Sequence, residues 1–326
     1  MNKVGIAGMA ALLTVGIVGC GTTHAQDSST ATSKSRVIAF STFVLDQYHS
    51  AIKAGFEKEA SKYGVKLEVE SSNNDEATQL AQIESFIQQH VSAVVIAPQN
   101  SKSIVTAVEA LNKAHIPVFF VDANANPAIM AQDHAREVEV AESDNFAGGA
   151  TIGREMIAYY GKKAHIQIGM INFPTDSATQ DRDKGFLSVI NQYPSYRVVT
   201  TLNGDASETT GLSVADSMIE AHPDLNAIFS DTGPAGLGAV SAITSMHKTS
   251  QIKVFSFATE RPNVEDIIAH TVYVAGAMQQ PMVEAETEFP NIIKYLNHHS
   301  VPKQVLIPVL GVTKTNAGTL LSKSIG

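Results

Sequence analysis

The stretch VIAFSTFVLDQYHSAIKAGFEKEASKYGVKLEV, residues 37–69, decides the fold class of this chain. It begins with a short apolar run at residues 37–40 and ends with a second one at residues 65–69. Between the two runs, Ala51 to Tyr63 has the pattern of a helix. Two short apolar runs joined by a helix of this length are typical of a βαβ unit, whose two strands are parallel.

The same alternation of apolar runs and helical segments recurs along the chain, and it restarts after Asp144. Further apolar runs lie at residues 93–97, 118–121, 166–171, 197–201, 227–230, 253–257 and 272–275. The total of 326 residues suits two domains, since one domain typically takes about 100–200 residues. We therefore predict an α/β protein with two similar lobes, each built on a parallel sheet.

The N-terminus has the pattern of an export signal. Lys3 is followed by an uncharged run from Val4 to Val18, so residues 1–19 are interpreted as a signal peptide. A lasting transmembrane helix is disfavoured, because a membrane span needs roughly 20 apolar residues. Residues 20–35 lack apolar periodicity and are interpreted as a flexible tether.

Cys20 is the only cysteine of the chain, so no intramolecular disulfide is expected. The segment Ile17-Val18-Gly19-Cys20 resembles the bacterial lipobox, whose cysteine is acylated. The resemblance implies lipidation at Cys20 and anchoring of the protein to a membrane surface. The alternative is a chance cysteine beside an ordinary cleavage site.

Composition and missing motifs exclude several classes of function. The net charge is −9, and no basic block is present that could follow a phosphate backbone, so nucleic acid is not expected as a partner. The chain contains no P-loop and no Gly-x-Gly-x-x-Gly after the first strand, so no nucleotide cofactor is expected. The histidines are scattered, with His298-His299 as the only pair, and no metal site or catalytic motif is predicted.

Polar segments follow the apolar runs where a ligand site is expected. In open α/β sheets, ligands bind beyond the carboxyl ends of the strands. The segments at these positions are Thr42 to His49, Pro98 to Asn100, Asp122 to Asn124, Phe173 to Arg182, Asp231 to Gly233 and Ala258 to Glu260. Two facing lobes would combine these segments into a cleft.

Several motifs along the chain point to one family. They are Gly55-Phe56 with Glu59-Ala60, Val121-Asp122, Ser143-Asp144-Asn145 with Gly148-Gly149, Arg182 to Gly185-Phe186, Leu237-Gly238-Ala239, and Gln279 before Pro281. From Arg36 to about Val312 the chain resembles the type 1 periplasmic binding proteins, especially the ribose-binding branch. The resemblance implies two Rossmann-like lobes joined by a three-strand hinge.

The resemblance also implies discontinuous lobes, with chain crossings near Ser143, Gln279 and Val309. The N-terminal lobe would comprise residues 36–143 and 280–308. The C-terminal lobe would comprise residues 144–279 and 309–326.

By the same resemblance, Asp122 and Arg182 would grip ligand hydroxyls through charge-assisted hydrogen bonds. The residue-level alternatives are a helix cap or turn role for Asp122 and a solvated surface charge for Arg182. Gln279 matches a hinge glutamine of the family. Ser143 and Asn145 match the first crossing, with capping of a helix from Phe146 as their alternative.

Further ligand contacts are implied on the segments after the first, fifth and seventh apolar runs. The residues concerned are Thr42, Asp46, Tyr48, His49, Phe173 and Thr232. Phe43 and Phe173 offer flat rings to a sugar face, with core packing as the alternative. Ala123 and Ala258 replace two charged residues of the family, and Glu260 is interpreted either as a substitute for one of them or as an exposed loop acid.

The resemblance implies a substrate-binding protein of an ABC importer that captures a sugar, a polyol or a similar small polar solute without cofactor or metal. It would be a monomeric lipoprotein in the periplasm or at the cell surface, and its partner would be a membrane permease. The alternative within this class is a binding protein that serves a membrane kinase or chemoreceptor. A LacI-type effector domain shares the fold, but no basic helix-turn-helix precedes Arg36, and an enzyme lacks its motif.

Overall fold

The computed structural model describes residues 36–257 and 259–325. The predicted signal peptide, the predicted lipidation site Cys20, the predicted tether and Ala258 lie outside the described residues. Within the described residues, no helix is both long enough and apolar enough to cross a membrane.

The first sheet has six strands, all paired in parallel, in the order β11-β5-β4-β3-β1-β2. Its strands, numbered in chain order, are β1 (Val37–Thr42), β2 (Lys66–Ser71), β3 (Ala93–Ala97), β4 (Val118–Val121), β5 (Glu139–Ser143) and β11 (Gln304–Ile307). The helices that go with it are α1 (Gln47–Tyr63), α2 (Glu76–Gln89), α3 (Val105–Lys113), α4 (Pro127–Gln132) and α10 (Pro281–Leu296). We name this sheet and its helices the first lobe.

The second sheet also has six strands, in the order β12-β10-β9-β8-β6-β7. Its strands are β6 (Ile166–Asn172), β7 (Tyr196–Asn203), β8 (Ala227–Ser230), β9 (Lys253–Phe257), β10 (Tyr273–Met278) and β12 (Leu310–Thr313). Its helices are α5 (Asn145–Tyr160), α6 (Ser177–Ile190), α7 (Glu208–Ala221), α8 (Gly233–Ser245), α9 (Arg261–Ile268), α11 (Ala317–Leu320) and the 3-10 turn Leu321–Lys323. We name this assembly the second lobe; only β12 pairs antiparallel, with β10.

Both sheets are buried on their two faces, which explains why their strands are continuous apolar runs in the sequence. β3 and β4 are buried along their whole length, and two apolar clusters cover opposite faces of the first sheet. Two further clusters cover the second sheet. The predicted α/β fold class with two lobes is therefore confirmed.

Two helices begin at points that the apolar pattern does not show. α1 begins at Gln47 rather than Ala51, because the Asp46 side chain accepts a hydrogen bond from the backbone N–H of His49. α6 begins inside the predicted loop, because Asp176 accepts from the backbone N–H of Ala178. Arg182 consequently lies on a helix that begins at the cleft.

Two glycines allow α5 and α6 to pack in direct backbone contact. A Cβ atom on Gly149 would lie 1.9 Å from the carbonyl oxygen of Arg182, and one on Gly185 would lie 2.0 Å from that of Phe146. No larger residue fits at either position unless the helices separate. This close packing of α5 on α6 restrains the position of Arg182 relative to the second sheet.

Candidate functional site

A cleft of about 560 Å³ lies between the lobes, at the carboxyl ends of their strands. It receives polar side chains from both lobes, among them Asp122 from the first and Arg182 from the second. A wider depression of about 980 Å³ lies at the amino ends of β6 and β7, but all of its lining residues belong to the second lobe. Because parallel sheets bind ligands at the carboxyl ends of their strands, we take the interlobe cleft as the candidate site.

His49 lies between two carboxylates of the first lobe. Its Nδ1 is 2.8 Å from Asp46 Oδ1, its Nε2 is 3.5 Å from Asp122 Oδ2, and the residue is 3% exposed. Burial alone would lower the pKa of His49, but Asp122 and Asp46 outweigh burial and raise this pKa to about 10. His49 is therefore a cation at neutral pH, and it holds the pKa of Asp46 below its usual value against the effect of burial.

Asp122 occupies a tight turn directly after β4. Its φ angle is 70°, in the left-handed region that Asp and Asn tolerate better than most residues. The following helix, α4, is capped by Asn126, which accepts from the backbone N–H groups of Ala128 and Ile129. Asp122 is thus a turn residue rather than a helix cap, and its 5% exposed side chain lines the cleft.

Arg182 is 5% exposed, so its interpretation as a solvated surface charge is wrong. Its Nε donates to Asn145 Oδ1 at 2.9 Å, and its Nη1 donates to the carbonyl oxygen of Asp231 at 2.9 Å. The guanidinium carbon lies 4.1 Å from the ring centre of Phe257, which is a cation–π contact. These contacts hold the guanidinium rigidly at the second-lobe wall of the cleft.

A buried hydrogen-bond network connects the elements where the chain passes between the lobes. Tyr48 Oη donates to the Glu284 carboxyl group at 3.1 Å, and Ser143 Oγ donates to the same carboxyl group. Gln279 Nε2 donates to Tyr48 Oη at 3.0 Å. Burial and the nearby Asp122 raise the pKa of Glu284 to about 8. Glu284 therefore fixes the orientation of Tyr48 and Gln279, which both line the cleft.

The second lobe contributes two further acids to the cleft. Burial and the charge of Asp122 raise the pKa of Asp176 to about 7, although Arg182 opposes this shift. Burial, with a contribution from Asp46, raises the pKa of Glu260 to about 7. The Glu260 carboxyl group packs over Gly233, where a Cβ atom would lie 2.1 Å from its Oε2. Glu260 is therefore not an exposed loop acid.

The lobes also touch directly beside the cleft. The backbone N–H of Asn124 donates to Ser177 Oγ at 2.8 Å, and this hydroxyl donates in turn to the Asn124 carbonyl oxygen at 3.0 Å. Ser101 makes a second contact, since its backbone N–H donates to the Thr175 carbonyl oxygen at 3.3 Å. The lobes are therefore in a closed arrangement, with loops after β3 and β4 bonded to the start of α6.

Comparison with known proteins identifies the family. A family model described as a periplasmic binding protein domain matches residues 38–298. This chain belongs to that family. The Ribose import binding protein RbsB of Bacillus subtilis (strain 168) is 32% identical over 260 residues, which is 79% of this chain and 81% of the relative.

Solved structures show that the fold is shared over nearly the whole described chain of this periplasmic binding protein. A solute-binding protein from Agrobacterium vitis with bound alpha-D-tagatopyranose has a TM-score of 0.82 at 21% identity, covering 89% of this chain and 99% of that protein. A solute-binding protein from Bacillus halodurans C-125 with bound myo-inositol has a TM-score of 0.81 at 20% identity, covering 90% and 100%.

The structure brings most of the predicted ligand residues of this periplasmic binding protein to the cleft. Those that line it are Asp46, Tyr48, His49, Asp122, Phe173, Arg182, Thr232 and Gln279. Thr42, Ser143 and Asn145 lie behind this wall. Thr42 donates to the Val44 carbonyl oxygen at 2.9 Å, whereas Ser143 and Asn145 bond Glu284 and Arg182. Their role as site residues stays a prediction. Their contacts indicate that they position neighbouring residues of the cleft.

Other residues at the cleft were not singled out from the sequence. Asn74, Gln99, Asp176 and Thr179 line it, and Glu284 supports it from behind. The sequence feature that could have identified Glu284 is the presence of an acid on the apolar face of α10, beside Ala285 and Phe289. In the part of the chain that the structure describes, no group of three or more His, Cys, Asp or Glu side chains could hold a metal ion.

Proposed function

We propose that this chain is the extracytoplasmic substrate-binding protein of an ABC importer and that it captures a small polyhydroxylated solute between its lobes. One observation carries the proposal: Asp122 and Arg182, from opposite lobes, line a single cleft of about 560 Å³. That volume is within the range of about 300–1,000 Å³ typical of small-molecule sites. A solute that contacts both residues would stabilise the closed arrangement.

The chemistry of the walls supports a sugar or a polyol. A carboxylate accepts several hydrogen bonds and a guanidinium donates several in a fixed plane, so both suit vicinal hydroxyl groups. Phe43 and Phe173 both line the cleft, and their rings suit the apolar face of a sugar. Binding and closure of this kind require no covalent step.

The relatives support an import function. The Bacillus subtilis relative carries the name of a ribose import binding protein and covers 79% of this chain. Proteins with bound alpha-D-tagatopyranose and myo-inositol share its fold. Ala123 stands where the ribose-binding branch has a charged residue, so the proposal includes sugars and polyols other than ribose.

We further propose the domain boundaries and the cellular context given by the sequence. The lobes would comprise residues 36–143 with 280–308 and residues 144–279 with 309–326, in line with β11 in the first sheet and β12 in the second. Residues 1–19 would be removed on export. Cys20 would carry the lipid that holds a monomeric protein near its membrane permease, in the periplasm or at the cell surface.

The proposal predicts a thermal shift with at least one sugar or polyol. A solute at 100 times its dissociation constant stabilises a protein by about 2.7 kcal/mol, which raises its melting temperature by several degrees. The measurement is differential scanning fluorimetry of the purified chain against pentoses, hexoses, furanoses and inositols. Amino acids and dicarboxylates serve as controls. A thermal shift with amino acids or dicarboxylates and with no sugar or polyol would contradict the proposal.

The direct contact between the lobes predicts a moderate effect of Ser177→Ala on affinity. This variant removes two hydrogen bonds that exist only when the lobes are closed, so we expect a loss of about 1 kcal/mol, roughly fivefold. Titration calorimetry with the solute found in the panel measures it. Ser188→Ala is the matched control, since its hydroxyl donates to Gly185 within the same helix. Equal affinities of the two variants would contradict the role of Ser177.

A further inference from the structure

The cleft contains more carboxyl groups than cationic groups. In the lining that the structure describes, Asp122, Asp176 and Glu260 are buried or half-buried acids, and the more exposed Asp46 is a fourth; the cations are His49 and Arg182. The rim adds two exposed acids, Asp205 and Glu208, and no lysine. The lining therefore has a surplus of negative charge.

Both cations are already engaged by the protein. His49 is held between Asp46 at 2.8 Å and Asp122 at 3.5 Å. Arg182 donates through Nε and Nη1 to Asn145 and to the carbonyl oxygen of Asp231. The geometry thus commits His49 to the first-lobe acids and leaves a single guanidinium for the second-lobe acids.

Asp122 and Asp176 approach each other from opposite lobes. The hydrogen bond of 2.8 Å between the Asn124 backbone and Ser177 Oγ brings the two segments together. Asp122 precedes Asn124 by two residues, Asp176 precedes Ser177 by one, and both side chains line the cleft. Asp176 is 6% exposed, and among the described residues no Lys, Arg or His nitrogen forms an ion pair with it. Two acids therefore meet in the closed form with little solvent to separate their charges.

An unpartnered polar atom in the same cleft indicates where a ligand binds. Thr232 is 8% exposed and lines the cleft, yet its Oγ1 has no hydrogen-bond partner. Buried polar groups are rarely left unsatisfied in proteins, so this hydroxyl indicates a polar group on a solute.

We infer that the solute carries a protonated amino group as well as hydroxyl groups, as in an amino sugar or an amino polyol, and that its ammonium lies between Asp122 and Asp176. The inference rests on the proposed function, because it concerns the same cleft. An ammonium has one positive charge and three donors, so it can bond both carboxylates at once. With a neutral sugar, Asp176 would have no cation in ion-pair contact, and the charge of Asp122 would oppose its ionisation.

The linkage of binding to protons gives the inference a second observable. Asp176 and Glu260, whose pKa values are raised to about 7 mainly by burial, are partly protonated at neutral pH. A bound cation lowers both pKa values, so binding releases protons from the protein, and affinity rises as the pH increases from about 5 to about 7, a range in which the amino group of the solute keeps its own proton. The other titratable or charged groups that act on these two acids, or that line or support the same cleft, are Asp46, Tyr48, His49, Asp122, Glu142, Arg182, Asp205, Glu208, Asp231, Tyr273 and Glu284.

The test uses matched sets of probes that differ only at the nitrogen. D-glucosamine, N-acetyl-D-glucosamine and D-glucose form one set, the galactose series forms a second, and D-glucamine with sorbitol forms a third. Calorimetry of the purified chain at pH 5, 6 and 7, where the amino groups of the probes stay protonated, gives the affinities. We expect at least one amine to bind tenfold or more tightly than its neutral partners, with an affinity that increases with pH.

A charge-removing variant separates the ammonium contact from general binding. Asp176→Asn keeps the cap of α6, since Asn caps helices as well as Asp does. It should weaken binding of the amine tenfold or more and change binding of the neutral partner less than twofold. Asp181→Asn is the control: it makes the same charge change on the same helix, at a side chain that is 47% exposed and paired with Lys184.

The outcomes distinguish this inference from the proposed function. If neutral sugars bind as tightly as their amines, the inference is overturned and the proposed function stands. If the neutral sugars and polyols give a thermal shift and no amine does, the inference is likewise overturned and the proposed function stands. If no amine and no neutral solute binds, both the inference and the proposed function are overturned.

Discussion

We expect Arg182→Met to lower the free energy of unfolding by about 3–5 kcal/mol, because removal of one member of a buried charge network leaves the others uncompensated. Arg182 opposes the raised pKa values of five acids, so one guanidinium stabilises all of them: Asp176, Asp183, Asp231, Glu260 and Glu284. Its loss also leaves the Asn145 side chain and the Asp231 carbonyl oxygen without their donor. Methionine has a similar length and can keep contact with Phe257.

Urea unfolding measures the effect, with Arg154→Met as the matched control. Arg154 lies on α5 of the same lobe and donates to Thr151 at an exposed position, so its replacement should change the unfolding free energy by less than about 0.5 kcal/mol. A loss of less than about 1 kcal/mol for Arg182→Met would contradict the central role of this guanidinium.

The loss of unfolding free energy caused by Arg182→Met should become larger as the pH increases. Without Arg182, the folded-state pKa values of Asp176 and Asp231 rise further above their unfolded values. The folded variant then binds more protons than the unfolded chain, so its stability falls as the pH increases. Unfolding measured at pH 5 and at pH 8 should show the larger difference from wild type at pH 8.

Most of the fold could be predicted from the sequence because both sheets are buried on two faces. Runs such as Ala93–Ala97 and Ala227–Ser230 match their strands in full. The start of α1 was misplaced and the start of α6 was not predicted, since each depends on one capping side chain within a polar segment, Asp46 or Asp176. Apolar periodicity contains no information on such caps.

The candidate site could be predicted only in part. Asp122 and Arg182 were found because each occupies a place in a recognisable motif. Glu284 was not found, because its bond to Tyr48 joins residues 236 positions apart in the chain. The opposition of Asp122 and Asp176 is also invisible in the sequence, since it depends on how the two lobes meet.

We expect Asp122→Asn to weaken binding of the solute by about 2–4 kcal/mol, roughly 30- to 1,000-fold, because a buried charge-assisted pair is lost. Asparagine has the same shape and tolerates the φ angle of 70°, so the turn after β4 should persist. Alanine would add backbone strain at this position, so a change in affinity would no longer report the lost charge alone. Calorimetry gives the affinity, and Asp133→Asn, at the exposed end of α4, is the control.

The pKa of His49 provides a second readout of the same variant. In the wild type this pKa is raised to about 10, with Asp122 as one of its two carboxylate partners, so the Asn variant should lower it. A raised histidine pKa stabilises the fold fully below the unfolded value of about 6.5, and this stabilisation is lost as the pH rises towards 10. In Asp122→Asn this stabilisation should therefore be smaller, and its loss should be complete at a lower pH. NMR titration of His49 measures the shift; an unchanged pKa together with an unchanged affinity would show that Asp122 neither holds His49 nor binds the solute.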